Sequence, residues 1–165
     1  MFIREVQVSD AKEYLKLCKE LDAESEYLLY EKGERKTTIQ EQEKAIQKVL
    51  ETDNSTTIVA EIDGEMVGYL IARGGHALRI KHNVNIAIAI KEEYTGKGIG
   101  TALFEYIESW AKKRNITRLE LGLMAENLPA LILYKKKGFI IEGVRRNMFY
   151  INGRYIDEYI MAKLL

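Results

Sequence analysis

The residues best placed to do chemistry are three glycines, Gly96, Gly98 and Gly100, that lead straight into an amphipathic stretch. Ile99, Ala102, Leu103, Tyr106, Ile107, Trp110 and Ala111 recur at the spacing of one buried helix face. A helix start leaves about four backbone N–H groups without intrahelical partners and carries a partial positive charge. Glycines there remove the Cβ atoms that would hold a large anion away. The chemistry this implies is binding of a phosphate or pyrophosphate. A tight turn with no ligand is the plainer alternative. The alternate-residue glycine spacing lacks the Lys and hydroxyl of a triphosphate loop, and it differs from the dinucleotide pattern Gly-x-Gly-x-x-Gly. About half the chain also precedes the loop, whereas a dinucleotide fold places it after the first strand. A nucleotide-binding domain is therefore disfavoured.

Two other reactive side chains invite a role. Cys18 falls on the inner face of a predicted helix, Ala11 to Leu21, beside Tyr14, Leu15 and Leu21, and reads as a small core residue rather than a nucleophile. His82 opens the strand that runs into the glycine loop and is able to titrate near neutrality; its alternative is a structural histidine. No Cys/His cluster suggests a metal.

The elements that must position these residues follow from periodicity and turn signals. Phe2 to Val8 reads as a strand, with Ser9 and Asp10 as capping residues for the helix that follows. A second helix is predicted over Thr38 to Leu50, with Ile39, Ala45, Ile46 and Val49 inward. Thr57 to Ile62 and Met66 to Ala72 are strands joined at Asp63-Gly64, a hairpin signal. Lys81 to Ile90 is a long strand into the loop, Arg118 to Met124 another strand, and Leu128 to Lys137 a helix with Pro129 in its first turn. A last hairpin turns at Asn152-Gly153. This order predicts an α/β fold of the α+β type. Its central sheet is mixed and mostly antiparallel, with about four flanking helices, and the strand–helix–strand crossover supplies one parallel pair.

Tyr94 to Leu103 resembles the coenzyme A pyrophosphate loop of the GCN5-related N-acetyltransferases, and Asn127 to Phe139 resembles that family's second motif, in the same order and separation. The resemblance implies that the strand before the loop and the next strand splay apart to admit the pantetheine arm. It implies cofactor contacts from Ile88, Ala89 and Ile90 on that strand, from Thr95, Gly96, Lys97, Gly98, Ile99, Gly100 and Thr101 in the loop, and from Asn127. The family's Arg or Gln at the head of the loop is absent, and Lys97 either partly replaces it or is a solvated surface lysine. Tyr134 matches the general acid that protonates the departing thiolate.

The general base does not transfer, because the Glu of relatives that acetylate protein N-termini falls on Gly122. Glu120, on the same face of an ideal strand, is the substitute, acting directly or through water; its alternative is a structural or surface carboxylate. The acceptor side implied by the family points to Tyr27, Tyr30, Glu31, His82, Phe149 and Tyr150. The acidic run Asp22, Glu24, Glu26 and Glu31 either attracts a cationic amine or is a solvated face. The implied activity is acetyl transfer from acetyl-CoA to a primary amine in a ternary complex. The expected acceptor is an amino acid or polyamine, and the alternatives are a protein N-terminus or lysine, or a non-catalytic coenzyme A sensor.

Composition agrees. The 165 residues fit one domain, 1–165, 47% hydrophobic and 30% charged, with Lys+Arg and Asp+Glu balanced at 25 each. That balance argues against nucleic acid as a partner, and no apolar run suits a membrane span or signal peptide. A lone cysteine suits a reducing cytoplasm. The partners expected are a small amine acceptor and, at most, a second copy in a homodimer.

Overall fold

The structure, a computed structural model, describes residues Met1–Leu165. Its strands are β1 (Phe2–Glu5), β2 (Thr56–Ile62), β3 (Glu65–Gly74), β4 (Asn83–Ile90), β5 (Arg118–Met124), β6 (Ile140–Ile151) and β7 (Arg154–Leu164). The helices are α1 (Ala11–Glu24), α2 (Ile39–Leu50), α3 (Ile99–Lys112) and α4 (Leu128–Lys136). All seven strands form one sheet in the order β1-β2-β3-β4-β5-β7-β6, antiparallel throughout except where β4 meets β5. The mixed sheet with four helices is the expected class.

Turn chemistry fixes both hairpins. Asp63 and Gly64 have φ of 51° and 83°, and Asn152 and Gly153 have 50° and 77°. Two successive positive φ angles match the twist of the flanking strands, and Asx-Gly is the pair that tolerates them. At α2 the Thr38 hydroxyl accepts from the Glu41 N–H while the Glu41 carboxylate accepts from the Thr38 N–H at 2.7 Å, closing a capping box.

Each sheet face has its own core. Leu70, Val84, Leu119 and Leu121 pack with Leu103, Phe104 and Ile107 of α3 and with Tyr134 of α4. On the other face Val59, Tyr69 and Ala89 pack with Tyr14, Leu17, Cys18 and Leu21 of α1 and with Ile46 of α2. Burial pushes the Cys18 thiol up to about 11, so it stays a protonated core residue.

Three expectations give way. The first strand stops at Glu5, because Val8–Asp10 is a 3-10 turn pinned by Asp10, whose carboxylate accepts from the Gln7 N–H at 2.7 Å and from Arg4 at 2.6 and 3.1 Å. Asp10 therefore caps that turn and makes no side-chain bond to α1. β4 begins at Asn83 rather than Lys81, since a second 3-10 turn, Leu78–Ile80, precedes it. On α2 only Ile46 and Val49 are buried, while Ile39 and Ala45 face solvent.

Candidate active site

The site begins where the sheet fails to close. β4 and β5 pair in parallel only from Asn83↔Arg118 to Asn85↔Glu120, and beyond that they separate. The Asn83 carbonyl and the Lys91 N–H both bond toward β3, at 2.9 Å. Strand alternation then turns the N–H and C=O groups of Ile88 and Ile90 toward β5, into the gap. Ala89 pairs with Tyr69 on the other side, so its backbone faces β3. A cleft of about 1050 Å³ runs through this opening from one sheet face to the other.

At one end of the cleft stands the glycine loop. Gly96 and Gly98 have φ of 71° and 83°, and a Cβ on either would meet nothing within 4 Å. Gly98 is the N-cap of α3, which has no side-chain cap and no acidic residue in its first turn. The first-turn donors thus face open space, an electrostatic setting for an anion. Gly100 lines the cleft as well, and its missing Cβ also serves packing. A Cβ there would press on Leu133 of α4 at 3.0 Å, so this glycine lets α3 and α4 approach. Thr95, Ile99 and Thr101 line the cleft. Lys97 does not, because its ammonium lies over the Tyr94 ring at 4.7 Å.

Tyr134 and Asn127 come from α4. Asn127 is its N-cap, with Oδ1 accepting from the Ala130 N–H at 3.2 Å, and it also lines the cleft. Capping and cleft lining are therefore compatible. Tyr134 is buried between Phe104 and Phe139, with ring centroids 5.8 and 5.9 Å away, yet it reaches the cleft. Desolvation pushes its phenol well up, so it carries a proton at any physiological pH.

The opposite wall was only partly foreseen. Tyr27 and Phe149 line the cleft, joined by Leu28, Leu29 and Met148. Tyr30, Glu31 and Tyr150 lie outside it. Tyr30 instead sits under the Arg35 guanidinium at 4.6 Å, the Glu31 side chain is exposed, and Tyr150 packs on Tyr155 at 5.0 Å. His82 lies in the turn before β4 and lines a separate shallow pocket with Asp53 and Arg114, so it is not a cleft residue.

The early acidic run is only partly free, since Glu26 and Glu31 are exposed while the other two carboxylates are engaged. Asp22 is buried and paired with Arg35 at 2.6 and 3.0 Å, and Glu24 accepts from the Glu92 N–H. The Asp22–Arg35 pair closes the base of the segment that presents Tyr27, Leu28 and Leu29. On β6, Asn147 at φ 52° forms a bulge, its N–H donating to Asp157 at 2.8 Å. The bulge re-aims Met148 and Phe149 at the cleft.

Glu120 lines the cleft too, but Arg118 holds its carboxylate at 3.2 Å. The residue that sequence reasoning missed is Glu158 of β7. It is buried, lines the cleft, and accepts from Arg145 at 2.7 Å. Its signal was indirect: a glycine inside a strand, Gly122, marks a close approach.

A family model described as an acetyltransferase (GNAT) domain matches residues 3–160. The chain is 35% identical over 108 residues to the L-amino acid N-acetyltransferase AaaT of Escherichia coli, a match covering 65% of this chain and 67% of that protein. It is 37% identical over 113 residues to an N-alpha-acetyltransferase of Sulfurisphaera tokodaii, covering 63% and 66%. These matches thus span about two thirds of either relative. Among solved structures, an acetyltransferase of GNAT family from Streptococcus pneumoniae superposes with a TM-score of 0.95 at 30% identity, over 99% of this chain and 98% of that one.

Proposed function

The chain belongs to the GNAT acetyltransferase family, and from that premise we propose that it moves the acetyl group of acetyl-CoA directly to the primary amine of a small molecule, an amino acid or a polyamine. The observation that carries this reading is the gap between β4 and β5, with the glycine loop at one end and Tyr134 beside it. The pyrophosphate lies on the N–H groups from Gly96 to Thr101. The pantetheine arm takes the place of a strand along Ile88 and Ile90, whose N–H groups polarise the thioester carbonyl. Asn127 contacts the arm while capping α4. Tyr134, held neutral by burial, gives its proton to the departing sulfur. The thiolate is released into the same dry surroundings, which disfavour its charge as well.

The acceptor enters from the other sheet face, between Tyr27–Leu29 and the β6 bulge. Both walls are apolar at that point, which suits a small amine held close to the thioester. A small acceptor is supported by the likeness to an L-amino acid N-acetyltransferase. The test is free-thiol release from acetyl-CoA across amino acids, polyamines and N-terminal peptides. Turnover with a free amino acid or polyamine supports the reading. Turnover confined to peptides overturns the acceptor class, and absence of acetyl-CoA binding overturns the whole.

A further inference from the structure

We infer that Glu158 is the group that receives the acceptor's ammonium and takes its proton before attack, through the space that Gly122 leaves open. This inference rests on the acetyltransferase reading and names the residue that reading lacks.

Strand register puts the two residues together. On β5, Leu119, Leu121 and Leu123 point into the core that contains Tyr134. Gly122 and Met124 therefore point to the other face, the one from which the acceptor enters. Glu158 pairs with Met124 across the β5–β7 ladder and so shares that face. A Cβ at position 122 would collide with Oε1 of Glu158, so the carboxylate occupies the volume a side chain there would fill. Any residue other than glycine displaces it. The missing Glu at 122 and the buried Glu at 158 are thus one arrangement: the carboxylate reaches the same spot from the next strand.

The two oxygens of Glu158 are not equivalent. Oε2 accepts from Arg145 at 2.7 Å, while Oε1 lies over Gly122 and accepts no hydrogen bond from the chain. The Glu158 side chain is 9% exposed, whereas Arg145 is 55% exposed. One oxygen is therefore fixed by a surface guanidinium, and the other is free to accept an N–H from an amine in the cleft. Glu120, the other carboxylate on this face, has Arg118 on its Oε2 and lies nearer the closed end of the β4–β5 pairing.

With Tyr134 on one face and Glu158 on the other, the two proton transfers are divided between the two sides of the sheet. The ammonium gives one proton to Glu158, which passes it to solvent. The freed nitrogen attacks the acetyl carbon, the C–N bond forms and the C–S bond breaks. The sulfur takes the Tyr134 proton, the nitrogen's second proton restores the phenol by way of solvent, and one proton is released overall.

The experiment measures amine turnover and acetyl-CoA affinity in the wild type and four variants, using the best amine of the panel. Glu158→Gln is expected to lose about a hundredfold in kcat/KM for the amine, with acetyl-CoA affinity within about twofold of wild type. Gly122→Glu combined with Glu158→Ala, which returns a carboxylate through the vacated volume, is expected to recover about tenfold over Glu158→Ala alone. Retention of wild-type turnover in Glu158→Gln overturns the assignment. So does a parallel loss of acetyl-CoA affinity and turnover, the mark of a merely structural ion pair. A loss confined to Glu120→Gln transfers the role to Glu120. A wild-type chain that does not bind acetyl-CoA overturns the acetyltransferase reading, and this inference with it.

Discussion

The two halves of the cleft are built in different ways. The half proposed for the cofactor is nearly contiguous: β4, the glycine loop and the α3 N-terminus follow one another, with α4 one strand later, and their donors are mostly backbone groups. The half proposed for the acceptor is assembled from Tyr27, Gly122, Arg145, Met148 and Glu158, which come from four separate segments and, Gly122 apart, present side chains. Backbone donors are set by local conformation, whereas side-chain constellations depend on register, bulges and ion pairs far apart in sequence. One half can therefore stay constant while the other is re-specified by a few substitutions.

Variants that spare one half while damaging the other test this contrast. Tyr134→Phe is expected to lower kcat by about a hundredfold while acetyl-CoA affinity stays within about twofold; equal losses in both would show that the ring only packs. Gly98→Val forces a β-branched residue to φ 83°, at a cost of about 1–2 kcal/mol. It is expected to weaken acetyl-CoA binding about tenfold by calorimetry and to leave the amine KM unchanged.

Asp22→Ala strands Arg35 and loosens the segment that carries Tyr27. A melting curve should show a loss near the lower end of the roughly 3–5 kcal/mol seen for broken buried pairs, with a raised amine KM and an unaltered acetyl-CoA affinity. An unchanged amine KM would separate that segment from the acceptor.

The smallest effect belongs to a region outside both halves. Burial raises the Asp10 carboxyl, but the Arg4 guanidinium and the Gln7 N–H outweigh it and hold the group below the usual carboxylate range. A folded-state value below the unfolded one contributes stability that is fully present above the unfolded value of about 4 and is lost as pH falls through the folded value. Asp10→Asn should flatten the acid limb of the melting-temperature profile and leave both halves of the cleft working at neutral pH.

The same contrast explains what the sequence disclosed. The hairpins at Asp63-Gly64 and Asn152-Gly153, β5, α3 and α4 were readable because each is dictated by neighbouring residues. The opening between β4 and β5 came from resemblance, since no local pattern announces that two strands will part. Lys97 and Tyr30 were placed in the site by the family resemblance, but each side chain turned to a nearby ring or cation instead. Glu158 was overlooked because the vacancy it fills belongs to β5, thirty-six positions earlier in a chain of 165 residues.

The parting of β4 from β5 also leaves a mark on solvent exchange. In most central strands every amide is protected, but along β4 protection should alternate residue by residue. The Ala87 and Ala89 amides, bonded toward β3, should exchange slowly, and those of Ile88 and Ile90 should exchange as though they stood at an outer edge. Acetyl-CoA, lying where a strand is missing, should slow the second pair and level the pattern. On the proposed reading the cofactor would then complete the sheet, and binding would stiffen the strand closest to the reacting carbon.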